Sequence, residues 1–338
     1  MIVVLKPNLK KAQENAVLKE IKKLGYTPHI MRGVERTVIG AIGDETKNQS
    51  LETLTSWEQV ESVTRVQKRY KLVSRESHPT NSQIKIGRHK VGGKKIQVMA
   101  GPCSVESEMQ LMKTAEAVKK AGATMLRGGA YKPRTSPYEF QGLGVKGLKL
   151  LAKARKEFGL PVITEMLNQE HAEQMAEYTD IIQIGTRNAQ NFALITAAAK
   201  TGLPVVLKRG LAMKIEEWLL AGEYVLSNEN PNLLFCERGI RTFETYTRNT
   251  LDLGAVPAIK SESHCPIVVD PSQGCGRTDL VESMCCGAVA MGADALLIEV
   301  HPNPAEAWSD GAQQVDFKGF AKLMKKLKPI AKAVGREI

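Results

Sequence analysis

Residues 126–140 read LRGGAYKPRTSPYEF and set Arg127, Lys132 and Arg134 within eight positions. Two glycines, two prolines and a Thr-Ser pair bar both a helix and a central strand, so these cations sit on a stiff, irregular loop. Cations so spaced cannot share one helix face; they suit an anion approached from several sides. Arg187, Lys208 and Arg238 add three more cations, each directly after an apolar run. Guanidinium forks match phosphate oxygens, and six cations suit two phosphates better than one.

Other reactive groups hold the same kind of position. Cys103, Glu165, Glu237, Asp270, Gln273 and Glu299 all lie at or just past the end of a short apolar stretch. One such residue is as well explained by packing or capping. A polar group after every stretch is harder to attribute to structure, because a buried unpaired charge costs several kcal/mol. The set therefore reads as one site, a cage for a pair of phosphorylated substrates.

The elements that must position these groups are legible from periodicity. From residue 95 onward an apolar run, a turn and a helical stretch repeat. The runs are 96–100, 124–128, 161–165, 180–185, 203–208, 232–237, 266–270 and 295–300. Helical spacing falls between them, as at 106–121, 145–158, 168–177 and 190–201. Strands buried on both faces are near-continuously apolar, as a parallel sheet requires. Eight βα units in residues 95–338 point to a closed (β/α)8 TIM barrel, in which strand C-termini converge on one mouth. No GxGxxG follows an early strand, which argues against a dinucleotide-binding open sheet.

The first 75 residues follow another pattern. Strand signals at 2–5, 28–31, 37–43 and 62–66, with helical spacing at 10–24 and a weaker helix at 50–56, give the order βαββαβ. This order predicts a small ferredoxin-like domain with its helices on one face. Residues 76–94 are polar, with Pro79 and the turn VGGKK, and read as a linker and the first strand leading into the barrel.

Composition removes several function classes. The net charge of +11 resides mostly in residues 1–90, which hold 17 Lys and Arg against 9 Asp and Glu. The remainder is nearly balanced, and no basic block interleaves with aromatics, so a solvated basic surface is expected and no nucleic acid partner. No apolar run reaches the ~18 residues of a membrane span, and the first residues lack the apolar core of a secretory signal. Six cysteines without a CxxC pair predict reduced thiols in a cytoplasm.

Eight segments in order carry a specific resemblance: AGPCS (100–104), RGGAYKPRTSP (127–137), IGTRN (184–188), LKRG (207–210), CERGIRT (236–242), VDPSQ (269–273), EVHP (299–302) and SDG (309–311). With ERTVIGAIGD (35–44) and YKLVSRE (70–76), the whole chain resembles 3-deoxy-D-arabino-heptulosonate 7-phosphate (DAHP) synthases of the type I beta class, which carry an N-terminal ferredoxin-like regulatory domain. The resemblance implies an aldol-type condensation of phosphoenolpyruvate with erythrose 4-phosphate, releasing phosphate, at the first step of the shikimate pathway. Carried over by motif, Arg127, Lys132, Arg187, Lys208 and Arg238 would hold phosphoenolpyruvate. Pro133, Arg134 and Thr135 would hold the aldose phosphate. Lys132 would be the proton donor beside the reacting carbons. A divalent metal, polarising the aldehyde, would be held by Cys103, Gln273, Glu299 and Asp310. The resemblance further implies feedback by an aromatic amino acid, Tyr or Phe, and a homotetramer.

One position departs from the family's pattern: Gln273 stands where the family has histidine. A neutral amide oxygen is a weak ligand beside an imidazole, and the expected outcome is weak, readily lost metal with Mn²⁺ favoured over Zn²⁺. Substitution by another group, or loss of metal-assisted activity, are the other outcomes. His264 begins the strand that ends at Asp270, so six residues place it ~20 Å away. His301, two residues past Glu299, and Cys275, two past Gln273, are nearer.

Three other activities share some of these features. The sister synthase that uses arabinose 5-phosphate carries an Asn-containing segment where this chain has KPRT. A Schiff-base aldolase would use Lys208. A silent, effector-binding homologue would follow from loss of the metal.

Overall fold

A computed structural model describes residues 1–338 except 33–35, 45–46 and 65–67. Contacts divide the chain into two units, Met1–Arg69 and Tyr70–Ile338.

In the first unit, β1 (Ile2–Leu5), β2 (Thr27–Arg32), β3 (Thr37–Ile42) and β4 (Val60–Thr64) form one antiparallel sheet in the order β2-β3-β1-β4. Alternation directs Val3 and Leu5 to one face, where they share a core with Val17 and Ile21 of the helix Lys11–Lys23. After Leu24 the chain turns at Gly25, whose φ of +96° is open to glycine at low cost. The second helix is a 3-10 turn, Leu51–Ser56. Its Thr53 and Ser56 hydroxyls donate to the carbonyls of Ser50 and Thr53, local bonds that compete with α-helical pairing. This is the ferredoxin-like topology. Residues 65 and 66 of the last expected strand lie outside the described residues.

The second unit is a closed parallel barrel of β7 (Gln97–Gly101), β8 (Met125–Arg127), β9 (Val162–Met166), β10 (Ile181–Ile184), β11 (Val205–Lys208), β12 (Leu233–Glu237), β13 (Ile267–Val269) and β14 (Ala295–Glu299). β14 pairs with β7, Ala295 opposite Gln97, and closes the ring. Side chains alternate along each strand. Val98, Ala100, Leu126 and Val162 face the helices, while Met99, Met125, Ile163 and Val206 fill the interior. Both faces are dry, which is why the runs are apolar at nearly every position.

The polar stretch 76–94 contains a hairpin, β5 (Ile84–Ile86) and β6 (His89–Val91). Its Ile84, Ile86 and Val91 belong to the interior cluster with Met99 and Leu297. Alternation explains how so polar a segment can plug a barrel: only every second residue points inward. Of the expected helices, 106–121 begins at the Ser107 N-cap, whose side chain accepts from the amide of Gln110, and ends at Gly122 with φ +106°. The helix expected over 168–177 is split into a 3-10 turn, Gln169–His171, and Ala172–Tyr178.

Candidate active site

The strand C-termini bring the chemistry together. Arg127 ends β8, Lys208 ends β11, Glu237 ends β12 and Glu299 ends β14; Asp270 follows β13 and Cys103 follows β7. Of these, Arg127 and Lys208 line a cavity of about 410 Å³ whose walls also include Lys132, Pro133, Arg134, Thr135, Arg187, Arg238, Gln273 and Asp310. Cys103 and Glu299 are fully buried next to it and reach it through Lys132 and Gln273.

The cations differ in their partners. Arg127 donates to Glu299 Oε1 at 2.8 Å and to the Pro102 carbonyl at 3.0 Å, leaving its Nε buried without a partner. Lys208 bonds Asp270 Oδ2 at 2.6 Å, and Asp270 also caps the short helix Pro271–Cys275 by accepting from the Gln273 amide. That carboxylate holds the Lys208 Nζ in an ion pair, so its contacts are those of a fixed cation at the cavity wall. Arg134 pairs with Glu139 at 2.9 Å on the loop. Arg238 has no carboxylate partner among the described residues, and burial lowers its pKa. Arg187 is exposed at the rim and makes no ion pair among the described residues. Next to it the hydroxyl of Thr186 is buried and unpartnered. Donors without protein acceptors, around a cavity, are the signature of an anion site.

A second cluster lies at one side of the cavity. Ligand-capable atoms of Cys103, Glu299 and Asp310 lie within 4.8 Å of one another, a group able to hold a metal ion. Lys132 Nζ donates to Cys103 Sγ at 2.9 Å, and Cys103 Sγ donates to Asp310 Oδ2 at 3.3 Å. Burial, reinforced by Glu299, pushes the Cys103 thiol up to about 12. Burial alone would raise the Asp310 carboxyl as well, but Lys132, Arg248 and the hydrogen bonds from Cys103 and Gln273 together outweigh it and hold the group at about 2. The fourth expected ligand is turned the other way. Gln273 presents its NH2, not its oxygen, to Glu299 at 2.9 Å and to Asp310 at 3.3 Å. The residues thus fit a metal in three donors, and the fourth offers a donor proton in this conformation.

The other candidates for the fourth position lie elsewhere. His301 pairs with Glu106 at 3.2 Å and accepts from the Asn303 amide. His264 bonds Ser82 and the Leu72 carbonyl, on the side where the strands begin. Cys275 is buried, outside the ligand group, and burial raises its thiol to about 11.

One expected mouth residue, Glu237, serves the scaffold. Glu237 accepts from Arg209 at 3.0 Å and from the Gly239 amide at 2.6 Å, and Arg209 also bonds Asp252 at 2.8 Å. This buried network ties together the strand ends next to Lys208 and Arg238. Glu165 does line the cavity, beside Gly185, where an added Cβ would come within 1.8 Å of its Oε1. Only glycine allows that approach.

Periodicity missed Arg241, Arg248 and Gln313. Arg241 lies in the CERGIRT segment and lines the cavity. Arg248 bonds Asp310 Oδ1 at 3.3 Å and Gln313 Oε1 at 3.1 Å, while Gln313 donates to Glu299 Oε2 at 2.7 Å. Neither Arg248 nor Gln313 follows a strand directly, so nothing in the strand pattern marks them.

Comparison with known proteins gives concordant matches. Residues 64–334 match the DAHP synthetase I family, and residues 1–68 match the DAHP synthase ferredoxin-like domain. The chain is 50% identical over 338 residues to a phospho-2-dehydro-3-deoxyheptonate aldolase of Thermotoga maritima, with the whole of both chains covered. It is 33% identical over 269 residues to a 2-dehydro-3-deoxyphosphooctonate aldolase of Caulobacter vibrioides, covering 74% of this chain and 91% of that one. A crystal structure of the Thermotoga maritima DAHP synthase superposes with a TM-score of 0.94 at 49% identity, covering 99% and 98% of the two chains. A truncated form of the Thermotoga maritima enzyme gives 0.75, covering 79% of this chain and 98% of its own.

Proposed function

The chain belongs to the DAHP synthetase I family, and from that premise we propose how its residues divide the work. The reaction is the condensation of phosphoenolpyruvate with erythrose 4-phosphate and water to DAHP and phosphate, in the shikimate pathway. The observation that carries the assignment of roles is the unpaired Arg238 at the wall of a cavity with cations on several sides.

Arg127, Lys132, Arg187, Lys208 and Arg238 bind the phosphate and carboxylate of phosphoenolpyruvate. Guanidinium forks and ammonium groups held by scaffold carboxylates present fixed charge, so little reorganisation accompanies binding. Pro133 stiffens the loop on which Arg134 and Thr135 take the aldose phosphate. C3 of phosphoenolpyruvate then lies against the aldehyde carbon, water adds at C2, and Lys132 gives a proton to the aldehyde oxygen. Cys103, Glu299 and Asp310 would be the residues to hold a divalent ion, which would supply polarisation of that aldehyde. Two hard carboxylates without an imidazole favour Mn²⁺ over Zn²⁺. With Gln273 turned toward those carboxylates, an ion would be held weakly.

We assign residues 1–75 to regulation: the ferredoxin-like domain takes an aromatic amino acid, Tyr or Phe, in a homotetramer. No helix among the described residues is long and apolar enough to cross a membrane, and all six cysteines are free, in keeping with a cytoplasmic enzyme. The test of the reaction is phosphate release by the purified protein. Both substrates together should release phosphate in step with a seven-carbon product identified by mass spectrometry, and either substrate alone should release none. Phosphate release from one substrate alone would refute the assignment.

A further inference from the structure

Glu299 and Asp310 present four carboxylate oxygens, and every one already accepts a side-chain hydrogen bond. Glu299 Oε1 accepts from Arg127 and from Gln273 Nε2, at 2.8 and 2.9 Å, and Oε2 accepts from Gln313 at 2.7 Å. Asp310 Oδ1 accepts from Arg248 at 3.3 Å, and Oδ2 accepts from Gln273 Nε2 and the Cys103 thiol, both at 3.3 Å. Two negative charges thus meet two guanidinium groups directly, with the Lys132 ammonium one thiol away. The cluster is balanced in charge and in hydrogen bonds by the chain alone.

The amide of Gln273 is pinned from both ends. Its oxygen accepts from Arg238 Nη2 at 3.3 Å, and its nitrogen bridges the two carboxylates. Turning it over to offer oxygen to a cation would set the NH2 against the Arg238 guanidinium. It would also set the oxygen against two carboxylates until the ion arrived. Donor and acceptor ends are both specified, so the orientation follows from the network.

We propose that the Gln273 carboxamide, in place of a divalent cation, bridges Glu299 and Asp310 in the working enzyme, and that condensation proceeds without bound metal. This rests on the synthase reading given above. The C2=C3 electron pair of phosphoenolpyruvate forms the bond to the aldehyde carbon. The carbonyl π pair moves to the aldehyde oxygen, which takes its proton from Lys132. A water oxygen adds at C2, and one water proton returns to Lys132. The C2–O bond to phosphate breaks with its pair, and the new C2 hydroxyl gives up its proton to the phosphate as it becomes the ketone. A divalent ion that enters competes with the amide and is not required.

The experiment compares the wild type with Gln273→His and Gln273→Ala after chelator treatment, with metal content measured on each. Stripped wild type should keep at least about half its rate, whereas both variants should lose about tenfold or more, and Mn²⁺ should restore Gln273→His. Co²⁺ titration gives a readout independent of turnover. Gln273→His should develop the thiolate-to-cobalt absorption of Cys103 at about equimolar metal, and the wild type should not. A stripped wild type that loses activity and regains it with Mn²⁺ overturns the proposal, as does a strong thiolate–cobalt band in the wild type. Failure of all proteins to condense the two substrates, with or without metal, refutes the synthase reading; the cobalt spectra still decide whether the amide excludes the ion.

Discussion

Arg238 donates to the side-chain oxygen of Gln273 at 3.3 Å and meets no carboxylate among the described residues, although only 5% of it is exposed. A buried cation left with neutral acceptors is costly, and burial lowers its pKa accordingly. A bound phosphate or carboxylate would supply the missing charge. Arg238→Ala is expected to raise the KM for phosphoenolpyruvate by the roughly 1.5–3 kcal/mol of a charged hydrogen bond, about tenfold or more. The KM for erythrose 4-phosphate should move little. Steady-state kinetics in both substrates checks this, and equal shifts would remove Arg238 from the phosphoenolpyruvate site.

Arg134 gives the converse test. It sits on the Pro133–Thr135 loop and, among the described residues, its one ion pair is with the half-exposed Glu139. Its fork can exchange that carboxylate for a phosphate. Arg134→Ala should raise the KM for erythrose 4-phosphate by a similar roughly 1.5–3 kcal/mol and leave that for phosphoenolpyruvate nearly unchanged. A larger effect on phosphoenolpyruvate would reverse the assignment.

The strands were legible because burial on both faces leaves nothing but apolar residues between turns. The polar residues at their ends were legible for the same reason, as interruptions: Arg127, Lys208 and Glu299 each close an apolar run and each reach the site. Which way an interruption points was not legible. Glu237 and Asp270 occupy the same kind of position, yet one holds Arg209 and the other Lys208. Arg248 and Gln313 arrive from loops whose path depends on the closed barrel, so spacing in the chain carries no trace of them. The hairpin Ile84–Val91 was hidden by its polar outer face, since three inward residues suffice to plug the interior.

That hairpin changes where the chain can be cut. Removing residues 1–69 takes away one unit and leaves every interior residue of the barrel in place. The shortened protein should fold, condense its substrates and ignore Tyr and Phe. Removing residues 1–90 also strips Ile84 and Ile86 from the interior, at roughly 1.5–3 kcal/mol for each buried side chain. Thermal melts of the two truncations should differ accordingly. A full-length protein whose rate ignores every aromatic amino acid would sink the regulatory role.

Asp310 links the site to stability. Its folded carboxyl is held at about 2 against an ordinary 3.8, so its contribution is complete above pH ~4 and fades as pH falls toward 2. The shift corresponds to roughly 2 kcal/mol. Its φ of +48° suits Asn as well as Asp, which makes Asp310→Asn a clean probe. In chelator-treated protein the variant should be less stable than the wild type at pH 6 by about that amount, and the gap should narrow toward pH 3. Urea unfolding at the two pH values measures it; a gap that stays constant would mean that the Asp310 charge does not contribute.

A cavity that joins phosphoenolpyruvate to a four-carbon aldose phosphate should select its sugar by length. The direct measurement is the initial rate of phosphoenolpyruvate consumption by one preparation offered erythrose 4-phosphate or arabinose 5-phosphate, each varied to saturation. The kcat/KM for erythrose 4-phosphate should be higher by about tenfold or more, because Arg134 and Thr135 on the rigid Pro133 loop would fix the distance from phosphate to aldehyde. Preference for arabinose 5-phosphate, or turnover of neither sugar phosphate, would contradict it.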